Sequence, residues 1–190
     1  MQFLTLANQL TLLRIVLIPA IVLLMVYGYA GWTLLVFSVA ALTDALDGLI
    51  ARRTGQRSSL GVWLDPMADK LLLVTTFITL TLPGLPLMNR LPIWLTVTVI
   101  SRDVAIVGVV AIVNLAIGPR TFRPSLWGKS ATAAFLLTGM AVMYCNYAGV
   151  RSAVIDAGVW LSLALTLISS ADYLVRLRAL IGEPSRSGPA

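Results

Sequence analysis

Four aspartates with helical spacing are the residues of this sequence most suited to chemistry. Asp44 and Asp47 lie three positions apart, so they share one face of a helix. Asp65 and Asp69 lie four positions apart and share a face in the same way. The chain contains no histidine, and a site built from oxygen ligands alone suits hard cations such as Mg²⁺ or Mn²⁺. The spacing therefore predicts a divalent-metal site formed by these four carboxylates.

Two other interpretations of the acidic residues stay open. Arg52, Arg57 and Lys70 lie close to them in sequence, so the acids could instead form an ion-paired structural cluster. Carboxylates within membrane helices also mark ion pathways, as in a divalent-cation transporter. A transport path needs acids along the whole span, whereas these four are expected at one membrane face. We therefore favour a metal site at that face.

The composition predicts a membrane protein made of helices. Of the 190 residues, 58% are hydrophobic and only 12% are charged, which is about half the charged fraction of a soluble domain. Six apolar stretches are long enough to cross a bilayer, which takes about 20 residues. The predicted fold class is all-α, a polytopic membrane protein with a bundle of six transmembrane helices. The predicted spans are Leu10–Tyr27, Trp32–Ile50, Gly61–Leu82, Leu91–Leu115, Trp127–Tyr147 and Ala153–Leu174.

The basic residues predict how the bundle is oriented. Lys and Arg number 14 against 8 acidic residues, and most of them fall after the second, fourth and sixth spans. By the positive-inside rule those segments and both termini face the cytoplasm, with the bundle in the inner (plasma) membrane of the cell. The dispersed charges give no indication of nucleic-acid binding. Residues 1–181 are predicted to form one membrane domain, and residues 182–190, rich in Gly, Pro and Ser, a disordered tail.

The acidic residues belong to a longer pattern, Asp44-x2-Asp47-Gly48-x2-Ala51-Arg52-x8-Gly61-x3-Asp65-x3-Asp69. It resembles the signature of the CDP-alcohol phosphatidyltransferase family, with every defining position at its spacing. Further similarity over most of the chain includes Leu10-Thr11-x2-Arg14 and Gly128-Lys129. The resemblance implies six transmembrane helices, a homodimer surrounded by membrane lipids, and an active site at the cytoplasmic membrane surface. It also implies transfer of a phosphatidyl group from CDP-diacylglycerol to an alcohol, with release of CMP.

The resemblance implies a role for individual residues. Asp44, Asp47 and Asp65 would hold two metal ions, Mg²⁺ or Mn²⁺, and Asp69 would complete the ligand set. Asp69 would also act as the general base, since a carboxylate near the attacking hydroxyl can accept its proton. The residues expected to bind CDP-diacylglycerol are Gly48, Arg52, Ser58 and Thr11.

A second group of charged residues is predicted to bind the acceptor alcohol. Arg102 and Asp103 lie inside the fourth span, where charges are costly and usually functional. As neighbours in a helix they are expected to point to different faces, so each needs a partner elsewhere. Arg120, Arg123 and Lys129 gather at the predicted start of the fifth span. With Arg102 they would form a pocket for an acceptor's phosphate, although the two loop arginines also suit a purely topological role.

Two acceptors fit that pocket. Glycerol-3-phosphate would give phosphatidylglycerophosphate, and its small dianionic phosphate suits a basic pocket. Phosphatidylglycerol would give cardiolipin, and residues 56–61 and 100–104 are more similar to that branch of the family. We expect glycerol-3-phosphate, the commoner acceptor for short chains of this kind, and keep phosphatidylglycerol as the alternative.

Overall fold

The computed structural model describes the backbone of residues 6–54, 59–117 and 125–182. Within these ranges it describes the side chains of residues 8–43, 64–113, 115 and 125–178. Six α-helices account for most of the described chain. They are α1 (Leu6–Val26), α2 (Ala30–Thr54), α3 (Ser59–Thr81), α4 (Ile93–Ile117), α5 (Leu126–Ala148) and α6 (Ala153–Gly182).

These helices confirm the predicted all-α fold, and each overlaps one predicted span. Within the described residues, four of them are long and apolar enough to cross a membrane, namely α1, α4, α5 and α6. In α2 the described side chains form a shorter apolar stretch, Ala30–Thr43, because those of residues 44–54 lie outside the described residues. In α3 the charged residues Asp65, Asp69 and Lys70 fall in the first half of the helix. In the sequence, the acidic residues of the pattern fall in the second half of α2 and in the first half of α3.

Helix α1 is a common neighbour of α2 and α3. It packs against both of them, while α5 packs against α2 and α6, and α4 packs against α6 and α3. The side-chain pairs Thr11–Asp65 and Arg14–Asp69 advance in the same direction along α1 and α3. These two helices therefore run parallel, and we call the end of the bundle that holds Asp65 and Asp69 the aspartate end.

The opposite end of the bundle, which we call the amide end, is closed by two asparagines. Asn146 of α5 accepts a hydrogen bond from the backbone N–H of Asn89 at 2.7 Å and donates one to the backbone carbonyl of Asn89 at 3.0 Å. The side-chain amide of Asn89 donates to the carbonyl oxygen of Val150 at 2.8 Å. These bonds join the turn after α3, where Pro83 and Pro86 predict the end of the helix, to the turn after α5.

The hydrophobic core lies nearer the amide end. Phe77 of α3 and Phe135 of α5 meet edge to face, with ring centroids 5.7 Å apart. Gly158 lets α6 approach α5 closely, because a Cβ at that position would lie 2.9 Å from the hydroxyl oxygen of Thr138. Small residues and tight packing of this kind hold membrane helices together. The most fully buried aliphatic and aromatic side chains also include Ile21, Met25, Phe37, Leu80, Leu95 and Val142.

Proline inside a helix lacks the N–H of a backbone hydrogen bond and can kink the helix. Pro19 lies inside α1, which is a single helix from Leu6 to Val26. Gly182, the first residue of the predicted tail, is the last residue of α6. The rest of that tail, residues 183–190, lies outside the described residues.

Candidate active site at the aspartate end

Two hydrogen-bonded pairs join α1 to α3 at the aspartate end. Thr11 Oγ1 donates to Asp65 Oδ1 at 2.5 Å. About one turn further along both helices, Arg14 Nη1 donates to Asp69 Oδ1 in an ion pair. A spacing of three residues on α1 and four on α3 lets both pairs form side by side, since each spacing is close to one helical turn. The predicted metal ligand Asp65 and the predicted general base Asp69 therefore lie on one face of α3, towards α1.

The ion pair has one buried and one accessible member. The Arg14 side chain is fully buried, whereas Asp69 keeps 38% of its side chain exposed. A buried guanidinium needs an anion, because an uncompensated charge in apolar surroundings is costly. Asp69 supplies that anion and is itself restrained by the contact. The predicted base is therefore held in position while more than a third of its side chain stays accessible.

The atoms available to bind a metal at this end are oxygens, from the carboxylates of Asp65 and Asp69 and the hydroxyl of Thr11. Such a donor set fits Mg²⁺ or Mn²⁺. Among the described residues, no group of three or more His, Cys, Asp or Glu side chains gathers at one point. The other two predicted ligands, Asp44 and Asp47, belong to α2, and their side chains lie outside the described residues. The described pair thus represents half of the predicted ligand set.

A second charged cluster links α3, α4 and α6. Asp103 of α4 accepts a hydrogen bond from Lys70 Nζ at one oxygen and from Arg102 Nη1 at the other, the latter at 2.7 Å. Arg102 Nη2 also donates to the Ser169 hydroxyl of α6. The prediction that Arg102 and Asp103 point apart is wrong, because the long arginine side chain reaches back to its neighbour. The prediction that each has a partner elsewhere is confirmed.

The predicted acceptor pocket is described in part. Arg102 has only 9% of its side chain exposed, and a Cβ on Gly128, in the first turn of α5, would lie 3.3 Å from Arg102 Nη2. Lys129, the next residue of that turn, is exposed. The structure thus brings Arg102 to the helix start that carries Lys129. Arg120 and Arg123 lie outside the described residues.

The residues predicted to bind CDP-diacylglycerol are also described in part. The hydroxyl of Thr11 contacts Asp65, so this residue lies where the predicted nucleotide and metal sites meet. Gly48 and Arg52 belong to α2, but their side chains lie outside the described residues. Ser58 lies outside the described residues altogether.

The partners that Arg14, Lys70 and Ser169 have in these clusters were not predicted from the sequence. Arg14 does carry a signal, because an arginine inside an apolar helix needs an anion nearby. Lys70 is associated by sequence with the four aspartates, whereas its ammonium group contacts Asp103. Ser169 carries no signal, since serine is common where membrane helices meet.

These features define a helical membrane protein whose buried charges meet at α3 and its neighbours. A sequence model of the CDP-alcohol phosphatidyltransferase family matches residues 4–168. This match covers most of the chain, which therefore belongs to the CDP-alcohol phosphatidyltransferases, enzymes of phospholipid synthesis. The predicted enzyme class is thereby confirmed.

Relatives within the family carry two kinds of name. A probable phosphatidylglycerophosphate synthase of Mycobacterium tuberculosis is 31% identical over 188 residues, covering 93% of this chain and 83% of that protein. A putative cardiolipin synthase of Mycobacterium bovis is 34% identical over 140 residues, covering 72% of this chain and 63% of that protein. The cardiolipin synthase (CMP-forming) of Homo sapiens is 42% identical over 107 residues, covering 56% of this chain and 34% of that protein.

Proposed function

We propose that this enzyme transfers the phosphatidyl group of CDP-diacylglycerol to glycerol-3-phosphate, producing phosphatidylglycerophosphate and CMP. One observation carries the proposal: the last two aspartates of the signature, Asp65 and Asp69, lie together on α3 against Thr11 and Arg14 of α1. Glycerol-3-phosphate is favoured as the acceptor because the probable phosphatidylglycerophosphate synthase aligns with 93% of the chain.

Phosphatidylglycerol is the alternative acceptor, and it would make cardiolipin the product. The human cardiolipin synthase has the higher identity, 42%, although it aligns with only 56% of the chain. Both acceptors carry a glycerol hydroxyl and a phosphate, so the same residues would serve either one. A comparison of the two acceptors in one assay decides between them.

Asp44, Asp47 and Asp65 are the residues proposed to hold two divalent cations, Mg²⁺ or Mn²⁺, and Asp69 completes the ligand set. The oxygen donors at the aspartate end support this assignment. When bound, the two cations supply positive charge that offsets the negative charge of the diphosphate. Thr11 contributes indirectly, because its hydrogen bond to Asp65 holds that carboxylate in one orientation.

Asp69 is the proposed general base. The acceptor's hydroxyl oxygen attacks the phosphorus that carries the diacylglycerol, and the bond from that phosphorus to the CMP oxygen breaks. The hydroxyl proton passes to Asp69. A base must stay within hydrogen-bond reach of the proton it removes. The ion pair with Arg14 limits the rotation of Asp69 and so keeps the carboxylate in place.

Arginine and lysine side chains are proposed to bind the phosphates of both substrates. Arginine suits this role because its guanidinium donates two parallel hydrogen bonds to phosphate oxygens. The position of Arg102 Nη2, close to Gly128 in the first turn of α5 and bonded to Ser169 of α6, supports an acceptor pocket between α4, α5 and α6. The residues proposed for CDP-diacylglycerol are Gly48, Arg52, Ser58 and Thr11. The residues proposed for the acceptor phosphate are Arg102, Lys129, Arg120 and Arg123.

We further propose that all six helices cross the inner membrane, with both termini and the aspartate end at the cytoplasm. An even number of spans supports placing both termini on one side. Helices α2 and α3 can cross despite their interrupted apolar stretches, because their acidic residues lie towards the end that faces water. The enzyme is proposed to be a homodimer, as the family resemblance implies.

Release of CMP by the purified enzyme tests the proposal. With CDP-diacylglycerol and Mn²⁺ in mixed micelles, we expect CMP only when an acceptor is present, and faster release with glycerol-3-phosphate than with phosphatidylglycerol. Removal of the metal by a chelator should stop the reaction, and Asp44→Ala should lose both activity and Mn²⁺ binding. Full activity of Asp44→Ala, or a rate of CMP release that does not depend on the acceptor, would contradict the proposal. Flux of Mn²⁺ into vesicles without CMP release would favour a divalent-cation transporter.

A further inference from the structure

Lys70 directly follows the proposed base in sequence, yet it belongs to a different set of contacts. Consecutive helix residues differ by about 100° around the helix axis, so Lys70 points away from the face on which Asp69 meets α1. Its ammonium group donates instead to Asp103 of α4. The side chain is nevertheless 48% exposed. Lys70 is therefore accessible to a ligand, and among the described side chains its ion-pair partner is Asp103 and not Asp69.

The cluster around Lys70 has an excess of positive charge. One carboxylate, that of Asp103, is shared by the two cations Lys70 and Arg102. Ser169, the other polar partner, is neutral. Within the described residues, two cations and one anion leave one positive charge over. The side chains of Asp103 and Arg102 are 13% and 9% exposed, so water and salt screen them little. An excess charge in such surroundings attracts an anion.

The cluster also has an unused hydrogen-bond donor. Arg102 Nε is buried and, in the part of the chain that the structure describes, has no hydrogen-bond partner. A buried donor of a charged group is costly when it is left unpaired. The neighbouring Nη2 lies at the start of α5, where the missing side chain of Gly128 leaves it room. An oxygen-rich anion at this point would satisfy both the charge and the donor.

We propose that Lys70 is a phosphate-binding residue of the acceptor site, held in place by Asp103 and acting together with Arg102. This inference rests on the proposed function. The ligand chemistry is a phosphate ester of glycerol, either free or as a lipid headgroup. An ammonium group has three N–H donors, and Asp103 takes one of them, so the others can bind phosphate oxygens. An acceptor bound in this way would carry its hydroxyl on the adjoining glycerol carbons, near the residue that precedes Lys70, the proposed base Asp69.

Steady-state kinetics of Lys70→Gln test the proposal. The KM for the acceptor should rise at least about tenfold, because a charge-assisted hydrogen bond to phosphate is lost. The KM for CDP-diacylglycerol should stay within about twofold, since that substrate does not use Lys70. Lys70→Arg keeps the charge and should return the acceptor KM to within about threefold of the wild-type value. Lys70→Gln should remain folded, because the side chain is half exposed and Asp103 keeps its bond to Arg102.

Arg176→Gln is the matched control. Arg176 is 51% exposed and is paired with one aspartate, Asp172, at 2.9 Å. Arg176→Gln therefore removes a half-exposed cation from an ion pair with an aspartate, as Lys70→Gln does. Both KM values should be unchanged in this variant.

Each variant is assayed with glycerol-3-phosphate and, separately, with phosphatidylglycerol in micelles. The acceptor whose KM responds to Lys70→Gln identifies the source of the phosphate. An unchanged acceptor KM, or an equal rise in the KM of both substrates, overturns the inference while leaving the proposed function intact. Wild-type enzyme that releases no CMP with either acceptor overturns the proposed function, and the inference falls with it.

Discussion

The aspartate end and the amide end both join their helices through polar side chains, but the chemistry of the contacts differs. At the amide end, Asn89 and Asn146 exchange hydrogen bonds between neutral amides and backbone groups. At the aspartate end the contacts are ionic: Arg14 pairs with Asp69, and Asp103 accepts from two cations. The neutral amides satisfy one another, whereas in the cluster around Lys70 two described cations share one described carboxylate.

This difference indicates which end serves stability and which serves ligands. Buried charges often contribute little to stability, because desolvation offsets most of their attraction. Charges within membrane helices are accordingly a sign of function. We therefore expect substitutions at the amide end to change the free energy of unfolding, and substitutions at the aspartate end to change catalysis.

The largest effect is expected for Asp69→Asn. Loss of the proposed base should lower kcat by a factor of about 10² to 10⁴. The unfolding temperature should fall as well, because asparagine keeps a hydrogen-bond acceptor for Arg14 but not the negative charge that this buried guanidinium needs. The kcat is therefore measured below that temperature. CMP release and thermal unfolding in detergent measure the two quantities. A variant that keeps wild-type kcat would remove the general base from the proposal.

Asn146→Leu, at the amide end, should lower the free energy of unfolding and leave catalysis unchanged. The substitution leaves the backbone N–H and carbonyl of Asn89 without their partner, which costs about 1–3 kcal/mol of unfolding free energy. Both KM values and kcat, measured below the unfolding temperature, should match the wild type. Tyr144→Phe, an exposed position on the same helix, is the control and should alter neither. A loss of activity in folded Asn146→Leu would contradict the idea that the amide end serves stability and the aspartate end serves catalysis.

Thr11→Val should give a smaller effect at the aspartate end. It removes the hydroxyl that orients Asp65 while nearly preserving the shape of the side chain, so the Mn²⁺ concentration for half-maximal activity should rise about tenfold. Thr79→Val is the matched control, because the Thr79 hydroxyl is also buried but donates to the carbonyl of Thr75 in its own helix. An equal shift in both variants would mean that Thr11 acts only through packing.

The smallest effect is expected for Asp172→Asn. Its ion pair with Arg176 lies within one helix, and the Arg176 side chain is 51% exposed, so its loss should change the unfolding free energy by less than about 0.5 kcal/mol. Neither KM should move. A clear kinetic effect would show that charge matters beyond the two buried clusters.

The helices were largely predictable because apolar length and turn residues are local properties of the chain. The fourth predicted span, Leu91–Leu115, differs from α4 by only two residues at each end, and Pro92 directly precedes the observed start at Ile93. Proline is common at helix starts because it lacks the N–H that a helix start leaves unused. The interrupted apolar stretch of α3 follows from the same residues that predict its chemistry.

For the candidate site, the sequence predicted which residues share a face of one helix, but not which residues of different helices meet. The spacing of Asp65 and Asp69 places them on one face of α3, and both contact α1 through that face. The contact between Arg102 and Asp103 was mispredicted, because backbone directions do not show how far a long side chain can turn back.

The residue types, their helical spacing and the family pattern determined the class of enzyme and the kind of ligand atoms it offers. The amino-acid order alone did not determine which cation meets which carboxylate. Arg14 pairs with Asp69, whereas Lys70, which follows Asp69 in the sequence, pairs with Asp103. Such pairings depend on how each helix is rotated towards its neighbours, and that rotation is decided by the packing of the whole bundle.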